Sequence, residues 1–207
     1  MLSVKFSKST NLVLLAACSS ALFFSLPEQP SDSQVPAFPT QTVVSAKSTA
    51  KSQKITQTDV TADQAIKAFQ DEHPKSDVTA LTLEKKQGKY SYEVEGLSNS
   101  EEHELKVSAQ NKKVSDKGTE TLDQVEQKGV KRQEEKLNTK DLLTVKQAVK
   151  KAQEKVKSGN VTEVSLDKDL GITYWKVEFE QSDKEVSVNI NAQNGKFLSK
   201  ETSELDD

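Results

Sequence analysis

One segment of this 207-residue chain occurs twice, with the second copy 83 positions after the first. Gln64-Ala65-Ile66-Lys67 returns as Gln147-Ala148-Val149-Lys150, and Ala109-Gln110-Asn111-x-Lys113 returns as Ala192-Gln193-Asn194-x-Lys196. A fixed internal period is the sequence signature of repeated structural units. We therefore expect two copies of one small module, and the matching positions carry packing and turn residues rather than a set of reactive groups.

Composition limits both the core of each module and the class of partner. Hydrophobic residues make up 33% of the chain and charged residues 29%, so each module can bury only a thin apolar core. Lys and Arg total 29 against 32 Asp and Glu, which leaves no positive field that would attract nucleic acid. The single cysteine excludes an internal disulfide framework.

The N-terminus carries an export signal. Lys5 and Lys8 precede an apolar run over residues 12–26, and this order is typical of a secretory signal. The run is shorter than the roughly 20 apolar residues of a membrane span. Leu15-Ala16-Ala17-Cys18 resembles the lipobox of bacterial lipoproteins. That resemblance implies lipidation of Cys18 and an anchor in the membrane surface.

Two interpretations of residues 1–26 remain open from the sequence. A lipoprotein normally continues with a polar tether, whereas Ala21-Leu22-Phe23-Phe24 is apolar, so the segment is either a lipoprotein anchor or an ordinary signal or anchor that contains a cysteine. Both place the rest of the chain on the outer face of a bacterial cell membrane or in the extracellular space. Residues 27–58 are rich in Pro, Ser, Thr and Gln and predict a flexible stalk.

Each repeat begins with the signal of a helix. Thr61-x-x-Gln64 and Thr144-x-x-Gln147 both fit a capping box, in which side chains satisfy the first amides of the helix. Apolar residues recur behind each cap at helical spacing. The helices are expected to stop at Pro74 and at Ser158-Gly159.

Alternation of apolar and polar residues follows each helix and predicts strands. In the first repeat the apolar face is expected to hold Thr79, Leu81, Leu83, Tyr90, Tyr92, Val94, Leu105, Val107 and Ala109. In the second repeat it is expected to hold Val164, Leu166, Trp175, Val177, Phe179, Val186, Val188 and Ile190. Gln87-Gly88 and Asn194-Gly195 predict the turns of hairpins.

The predicted fold class is therefore α+β, with two tandem modules. Each module is one helix packed on a three- to four-stranded antiparallel sheet, over residues 59–120 and 141–207. A charged linker over residues 121–140, with room for a short helix, separates them. Whether the two modules dock on each other stays open.

The second repeat contains an aromatic-led strand, Tyr174-Trp175-Lys176-Val177-Glu178-Phe179, and a closing hairpin over residues 189–198. These two segments are similar to the corresponding strand and hairpin of the PepSY family, so the second repeat resembles that family. Asn191 stands where the family usually has Asp. In the first repeat Ser108 and Lys112 replace the usual Asp and Gly, so we expect the first hairpin to be looser.

The resemblance implies a function. PepSY modules occur in the propeptides of secreted metallopeptidases and as pairs in bacterial surface proteins, and the family is proposed to restrain peptidases near the cell. This chain is accordingly expected to be an exported, membrane-tethered binder of a secreted or surface peptidase. The alternative is a structural or interaction module that holds another envelope protein and has no peptidase target.

Groups that could carry catalysis are scarce in the sequence. The two histidines, His73 and His103, fall near a helix end and on a predicted strand, and an isolated histidine is usually structural or solvated. No spacing typical of metal ligands, activated nucleophiles or phosphate-binding loops occurs. We expect no catalytic residue, no metal and no cofactor, and thus not an enzyme.

Four residues are candidates for contact with a partner. Tyr174 and Lys176 alternate with the core residue Trp175, so they are expected on the open face of the sheet, where an aromatic side chain can anchor a partner. The hairpin at Asn194-Gly195 is the second candidate.

Overall fold

The computed structural model describes residues 54–204, and their side chains except at positions 116 and 117. The predicted signal region with Cys18, and the stalk up to residue 53, lie outside the described residues. In chain order the elements are α1 (Ala62–Glu72), β1 (Asp77–Lys86), β2 (Lys89–Leu97), β3 (Glu101–Ser108), β4 (Val114–Thr121), α2 (Val130–Glu135), α3 (Val145–Gln153), β5 (Asn160–Asp169), β6 (Ile172–Glu180), β7 (Lys184–Asn191) and β8 (Phe197–Glu204). Within these residues, no helix is long and apolar enough to cross a membrane.

All eight strands belong to one antiparallel sheet in the order β4-β3-β2-β1-β5-β6-β7-β8. The first four strands and α1 form module 1, and the last four and α3 form module 2. Each module is thus one helix on four neighbouring strands, which confirms the predicted α+β fold with two tandem modules. Both helices contribute to a single apolar core on one face of the sheet.

The modules are joined strand to strand. β1 pairs with β5 antiparallel, and Thr82 lies opposite Ser165, its own equivalent 83 positions later. Leu81 lies opposite Leu166 and Leu83 opposite Val164 on the core side of this junction. A pseudo-twofold axis therefore passes between Thr82 and Ser165. The two modules therefore dock on each other through this strand pairing. It leaves β4 and β8 as the two edges of the sheet.

Both predicted capping boxes are formed. The N–H of Gln64 donates to Thr61 Oγ1 at 3.3 Å, and the N–H of Thr61 donates to Gln64 Oε1 at 3.1 Å. The same pair of bonds links Thr144 and Gln147, at 3.3 and 2.9 Å. These bonds satisfy amide groups that the first helical turn leaves without partners.

The two helices end differently. α1 ends at Glu72, with His73 as its C-cap just before Pro74, as predicted. α3 ends at Gln153, before the predicted stop at Ser158-Gly159. After Gln153 the N–H groups of Lys155 and Val156 bond to carbonyls three residues back, so the chain tightens into a 3₁₀-type turn.

One aromatic side chain in each module fastens the helix entrance to the sheet. The hydroxyl of Tyr92 donates to the carbonyl of Val60 at 3.0 Å, and Trp175 Nε1 donates to the carbonyl of Leu143 at 2.9 Å. Val60 and Leu143 are equivalent positions just before the helix caps. Tyr92 and Trp175 have no exposed surface, as expected for core residues. The hydroxyl of Tyr92 and the indole N–H of Trp175 are thus hydrogen-bonded while both rings stay in the core.

The alternation of apolar and polar residues predicted the wrong face of the sheet for one residue, Thr79. The pairing of β1 with β2 shifts register between Val78 and Ala80, so Thr79 forms a bulge rather than sharing a face with Leu81. Val78 reaches the core instead and is 2% exposed. Module 2 has the same bulge at the equivalent Thr162, between Val161 and Glu163. A bulge inserts one residue and shifts the alternation that parity arguments assume.

The segments outside the modules are packed against them. Ile55 is 4% exposed and belongs to the core, so the packed region begins before residue 59. In the linker, the side chains of Arg132 and Lys136 both bind Asp77 at the start of β1, at 2.8 and 2.9 Å. The N–H of Leu137 also donates to the carbonyl of Val78 at 2.9 Å. The linker is therefore attached to module 1 at the end of α2.

Candidate functional site

The structure places two of the candidate contact residues on the sheet face opposite the helices. Tyr174 and Lys176 alternate along β6 with buried core residues and are themselves half-buried. Tyr174 lies between Asp167 on β5 and Asn191 on β7. Lys176 Nζ lies 2.5 Å from Glu178 Oε1. We call the face that carries these residues the open face.

The other two candidates lie elsewhere. Asn194 and Gly195 belong to the loop between β7 and β8, where Asn191 Oδ1 accepts from the N–H of Asn194 at 3.0 Å. Gly195 has a φ of 71°, and a Cβ atom on it would lie 2.3 Å from Cε of Lys151 on α3. The loop thus packs against the helix side of module 2. The structure does not bring Asn194 and Gly195 together with Tyr174 and Lys176.

The hairpin of module 1 has the same backbone as that of module 2. Lys112 takes a φ of 60° where Gly195 takes 71°, and its N–H bonds to the carbonyl of Ser108 as that of Gly195 bonds to Asn191. The hydrogen-bond pattern is not looser in module 1. The difference from the family motif instead leaves a lysine in the left-handed region, which is unfavourable for a residue with a Cβ atom.

Carboxylates dominate the centre of the open face. Glu84 on β1 lies opposite Glu163 on β5, and Glu163 lies opposite Glu178 on β6. Like charges directly opposite each other destabilise a sheet. Burial raises the pKa of Glu163 to about 7, and the charges of Glu178 and Glu84 act in the same direction. This carboxyl group is therefore only partly ionised near neutral pH.

A second carboxyl on the open face behaves alike. Burial and, to a smaller extent, the charges of the neighbouring Glu102 and Glu104 together raise the pKa of Glu95 to about 7. Burial alone would lower the pKa of Lys176, but its hydrogen bond to Glu178 raises it instead. Among residues 54–204 no group of three or more His, Cys, Asp or Glu side chains is arranged to hold a metal ion. The open face is an acidic surface with partly protonated carboxyls.

The structure also brings together two residues that the sequence treated as isolated. The rings of His73 and His103 stack with their centroids 4.2 Å apart and their planes at 16°. His103 is 8% exposed, and its Nδ1 lies 3.0 Å from Thr119 Oγ1. Alignment of the repeats could have indicated this packing, because the equivalent residues are apolar: Val186 belongs to the core and Val156 packs against it.

The two edge strands of the sheet are also exposed. β4 and β8 occupy equivalent places in the two modules and close the sheet at either side. Every residue of β8 is exposed except Ser199, which is half-exposed. An edge strand keeps one row of backbone N–H and C=O groups pointing away from its neighbour, and that row can pair with another chain.

Comparisons with known proteins agree with this architecture. The PepSY family, described as the peptidase propeptide and YPEB domain, matches residues 59–117 and 142–201. A crystal structure of a "putative lipoprotein" from Clostridium difficile 630 is 32% identical in sequence, with a TM-score of 0.69. The similarity covers 73% of this chain and 99% of that one. No curated protein matches the chain. Because the family match covers both repeats and more than half of the chain, this protein belongs to the PepSY family.

Proposed function

We propose that this protein is an exported, membrane-tethered binding protein that restrains or modulates extracellular peptidases through its two PepSY modules. The observation that carries the proposal is the family match over both repeats, because the family includes the propeptides of peptidases. The similarity to the Clostridium difficile protein supports a lipid tether, for which Cys18 is the candidate in this chain. The expected location is the outer face of the cell membrane.

The two edges of the sheet supply a mechanism. A peptidase cleft binds its substrate as an extended chain, and an edge strand can be bound in the same way through backbone hydrogen bonds. The junction between β1 and β5 occupies the two inner edges, so β4 and β8 are the edges left for pairing. All residues of β8 except Ser199 are exposed, so its edge is accessible for this contact. The presence of two equivalent edges on one tether would raise avidity for a clustered target.

The first experiment measures inhibition directly. A soluble fragment of residues 47–207 would be incubated with secreted metallopeptidases from the same cell, and the initial rate of peptide hydrolysis recorded against fragment concentration. We expect a saturable change in rate for at least one peptidase. Absence of both binding and rate change across the set would refute the proposal.

Proline substitutions test the role of the β8 edge. Successive residues of a strand direct their backbone groups to opposite sides, so one of Lys200→Pro and Glu201→Pro removes an outward N–H and the other an inward one. We expect the outward substitution to keep the melting temperature and to weaken inhibition at least about tenfold. If that variant inhibits as well as the wild-type fragment, β8 is not the contact strand.

The lipid anchor is tested by labelling. Replacing Cys18 with Ala should abolish incorporation of labelled palmitate, and unchanged labelling would refute the lipid anchor.

Cross-linking on intact cells would identify the partner. Recovery of a non-peptidase envelope protein, in a manner that depends on Tyr174 or on Asn194-Gly195, would favour an interaction module instead.

A further inference from the structure

Lysines collect at one end of module 1, where the β1–β2 and β3–β4 hairpins turn. Both hairpins line a cleft of about 720 Å³ there, and its lining contains four lysines, Lys86, Lys89, Lys106 and Lys113. No Asp or Glu is among the described residues that line it. We propose that this cleft, called the lysine cleft below, docks module 1 on the anionic phospholipid surface of the membrane that holds the tether.

Strand register gathers lysines and hydroxyl groups of the cleft on the open face. Ser91 lies opposite Glu84 of that face, and Ser108 lies opposite Ser91. The members that share the face by this pairing, or by lying two residues along a strand, are Lys86, Lys89, Ser91, Lys106, Ser108 and Ser115. A lysine ammonium binds phosphate as a point charge, and a hydroxyl can donate to the same oxygens. The set therefore suits a phosphate headgroup.

Most of the positive charge in the cleft is not neutralised by the protein. Within residues 54–204, Lys89, Lys106 and Lys113 form no ion pair. Lys86 pairs with Glu84 and, at 3.7 Å, with Glu93. Glu93 also lies opposite Lys106, so it marks the border between the lysine cleft and the acidic centre of the open face. Like charges gathered in this way repel each other, and an anionic surface relieves the repulsion.

The equivalent end of module 2 lacks this charge. The positions that correspond to the four lysines are, in chain order, Asp169, Ile172, Asn189 and Lys196. The single lysine is cancelled by the aspartate, so the formal charge of the set is zero, against +4 in module 1. Because the same hairpins form in module 2, the fold does not require the four lysines. Their presence in module 1 points to a partner instead.

The chain joins module 1 at the same end. Lys54 is the first described residue, and the backbone of Ile55 lies next to the hydroxyl of Tyr90, which also lines the cleft. The segment with the candidate lipid site Cys18 therefore leads to this end of the module, and residues 45–54 add three more lysines and no acidic residue. The choice of a membrane as the anionic partner rests on the tether of the proposed function. Each lysine near an anionic membrane strengthens binding about fivefold, and a tether makes such weak contacts effective.

Docking of the lysine cleft would also orient module 2. Lys86 continues β1 past the pair of Glu84 and Glu163, toward the start of β5, whereas Asp169 ends β5 beside the start of β1. The lysine cleft and its counterpart in module 2 thus lie at opposite ends of the sheet. With the cleft on the membrane, the β5–β6 hairpin and Tyr174 are directed away from it, toward an external partner.

Site-resolved labelling of lysines tests the docking on the full-length protein. The protein would be added from detergent to preformed vesicles, acetylated briefly and analysed by mass spectrometry. One set of vesicles contains phosphatidylcholine alone, and the other contains phosphatidylcholine and phosphatidylglycerol in equal parts. We expect Lys89, Lys106 and Lys113 to react at least about threefold more slowly on the anionic vesicles. Lys196 and Lys200 of module 2 are the internal control and should react equally on both.

Two changes should remove the protection, and two should keep it. Salt at about 1 M shortens the Debye length to about 3 Å and should abolish the difference between the vesicles. Lys89→Gln/Lys106→Gln should abolish the protection of Lys113. Lys89→Arg/Lys106→Arg keeps the charge and should keep that protection, which separates loss of charge from damage to the fold. The matched variant Lys196→Gln/Lys200→Gln in module 2 should also keep it.

Three outcomes decide the inference. Equal reactivity of the cleft lysines on both kinds of vesicle would overturn it. Protection by inorganic phosphate on phosphatidylcholine vesicles, with no further protection on anionic ones, would also overturn it, because the cleft would then bind soluble phosphate. Flotation with phosphatidylcholine vesicles reports the tether separately. A protein that floats only with anionic vesicles would lack the tether of the proposed function and still support the lysine cleft.

Discussion

Module 1 places a phenylalanine on its helix, and module 2 places one on its sheet. Phe69 of α1 covers Gly96 of β2, whereas the equivalent residues in module 2 are Ala152 on α3 and Phe179 on β6. Phe69, Ala152 and Phe179 are all buried. The two repeats therefore conserve the volume between helix and sheet and not the residue at each position. Close packing requires this, because a gap or an overlap of even one methylene has a cost.

The modules also differ at the next turn of the helix. There His73 stacks on His103 in module 1, whereas the equivalent residues of module 2 are Val186 in the apolar core and Val156 packed against that core. By contrast, the capping boxes and the bonds from Tyr92 and Trp175 to the helix entrance are alike in both. The entrance of each helix is constant, and the end of each helix is where the copies have diverged.

The largest expected effect comes from moving the phenylalanine of module 1 from the helix to the sheet. Gly96→Phe should destabilise the protein by about 3 kcal/mol or more, because its Cβ would lie 2.4 Å from the ring of Phe69. Phe69→Ala alone should also cost about 3–5 kcal/mol. The double variant copies module 2 and should recover part of the loss, since the carbonyl of Asp77 still lies 2.7 Å from the new Cβ. Urea unfolding of all four proteins measures the coupling.

If the losses of unfolding free energy from the two single substitutions simply add in the double variant, the two positions do not compensate for each other's change in volume. Ile66→Ala offers a control, because it removes buried volume from the same helix without a partner at position 96. Its effect should add to that of Gly96→Phe rather than offset it.

A smaller effect concerns the carboxyls of the open face. The pKa of Glu163 is about 7 in the folded protein, against 4.5 as its ordinary value, so the folded state binds more protons between these pH values. The free energy of unfolding should therefore fall as pH rises from about 4.5 to 7. After allowance for solvent screening we expect about 1–2 kcal/mol from this group, and Glu163→Gln should remove it.

Glu95 in module 1 should respond in the same direction, because its pKa is also about 7. Urea titrations at pH 5 and pH 7.5 would measure both variants, with Glu180→Gln as a matched control on an exposed side chain. A slope that Glu163→Gln and Glu95→Gln leave unchanged would exclude these carboxyls as its source.

The smallest expected effect is at the two hairpins. Lys112→Gly should stabilise module 1 by about 1 kcal/mol, because glycine tolerates the left-handed φ of 60°. Gly195→Lys should destabilise module 2 by more than this, since its Cβ would also contact Lys151. Thermal melting of the two variants would measure the difference. Equal shifts of either sign would mean that the hairpins do not differ as described.

The helices, strands and core-facing residues could largely be predicted from the sequence, whereas contacts between elements distant in the chain could not. Local patterns located the capping boxes and the core face, because the cap spacing at Thr61-x-x-Gln64 and the strand alternation are short-range. The bulge at Thr79 was missed, since a single inserted residue leaves the apolar pattern nearly unchanged. The stack of His73 on His103 depends on two elements 30 positions apart and on the pairing of strands. The sequence predicted two candidate contacts, at Tyr174 and at the hairpin with Gly195, but not that they lie on different sides of the sheet.

The junction between β1 and β5 decides which edges the sheet offers to a partner, and a disulfide tests it most directly. The fragment of residues 47–207 contains no cysteine, so Thr82→Cys/Ser165→Cys introduces the pair alone. Residues opposite each other on antiparallel strands have Cα atoms about 4.5–5.5 Å apart, within the range that a disulfide spans. Thr82→Cys/Asn189→Cys is the control, because Asn189 lies three strands away.

We predict that the first variant forms an intramolecular disulfide almost completely, with an unchanged circular dichroism spectrum, while the control remains reduced. Free thiols in the first variant, or disulfides only between molecules, would contradict the single eight-stranded sheet on which this account of the protein depends.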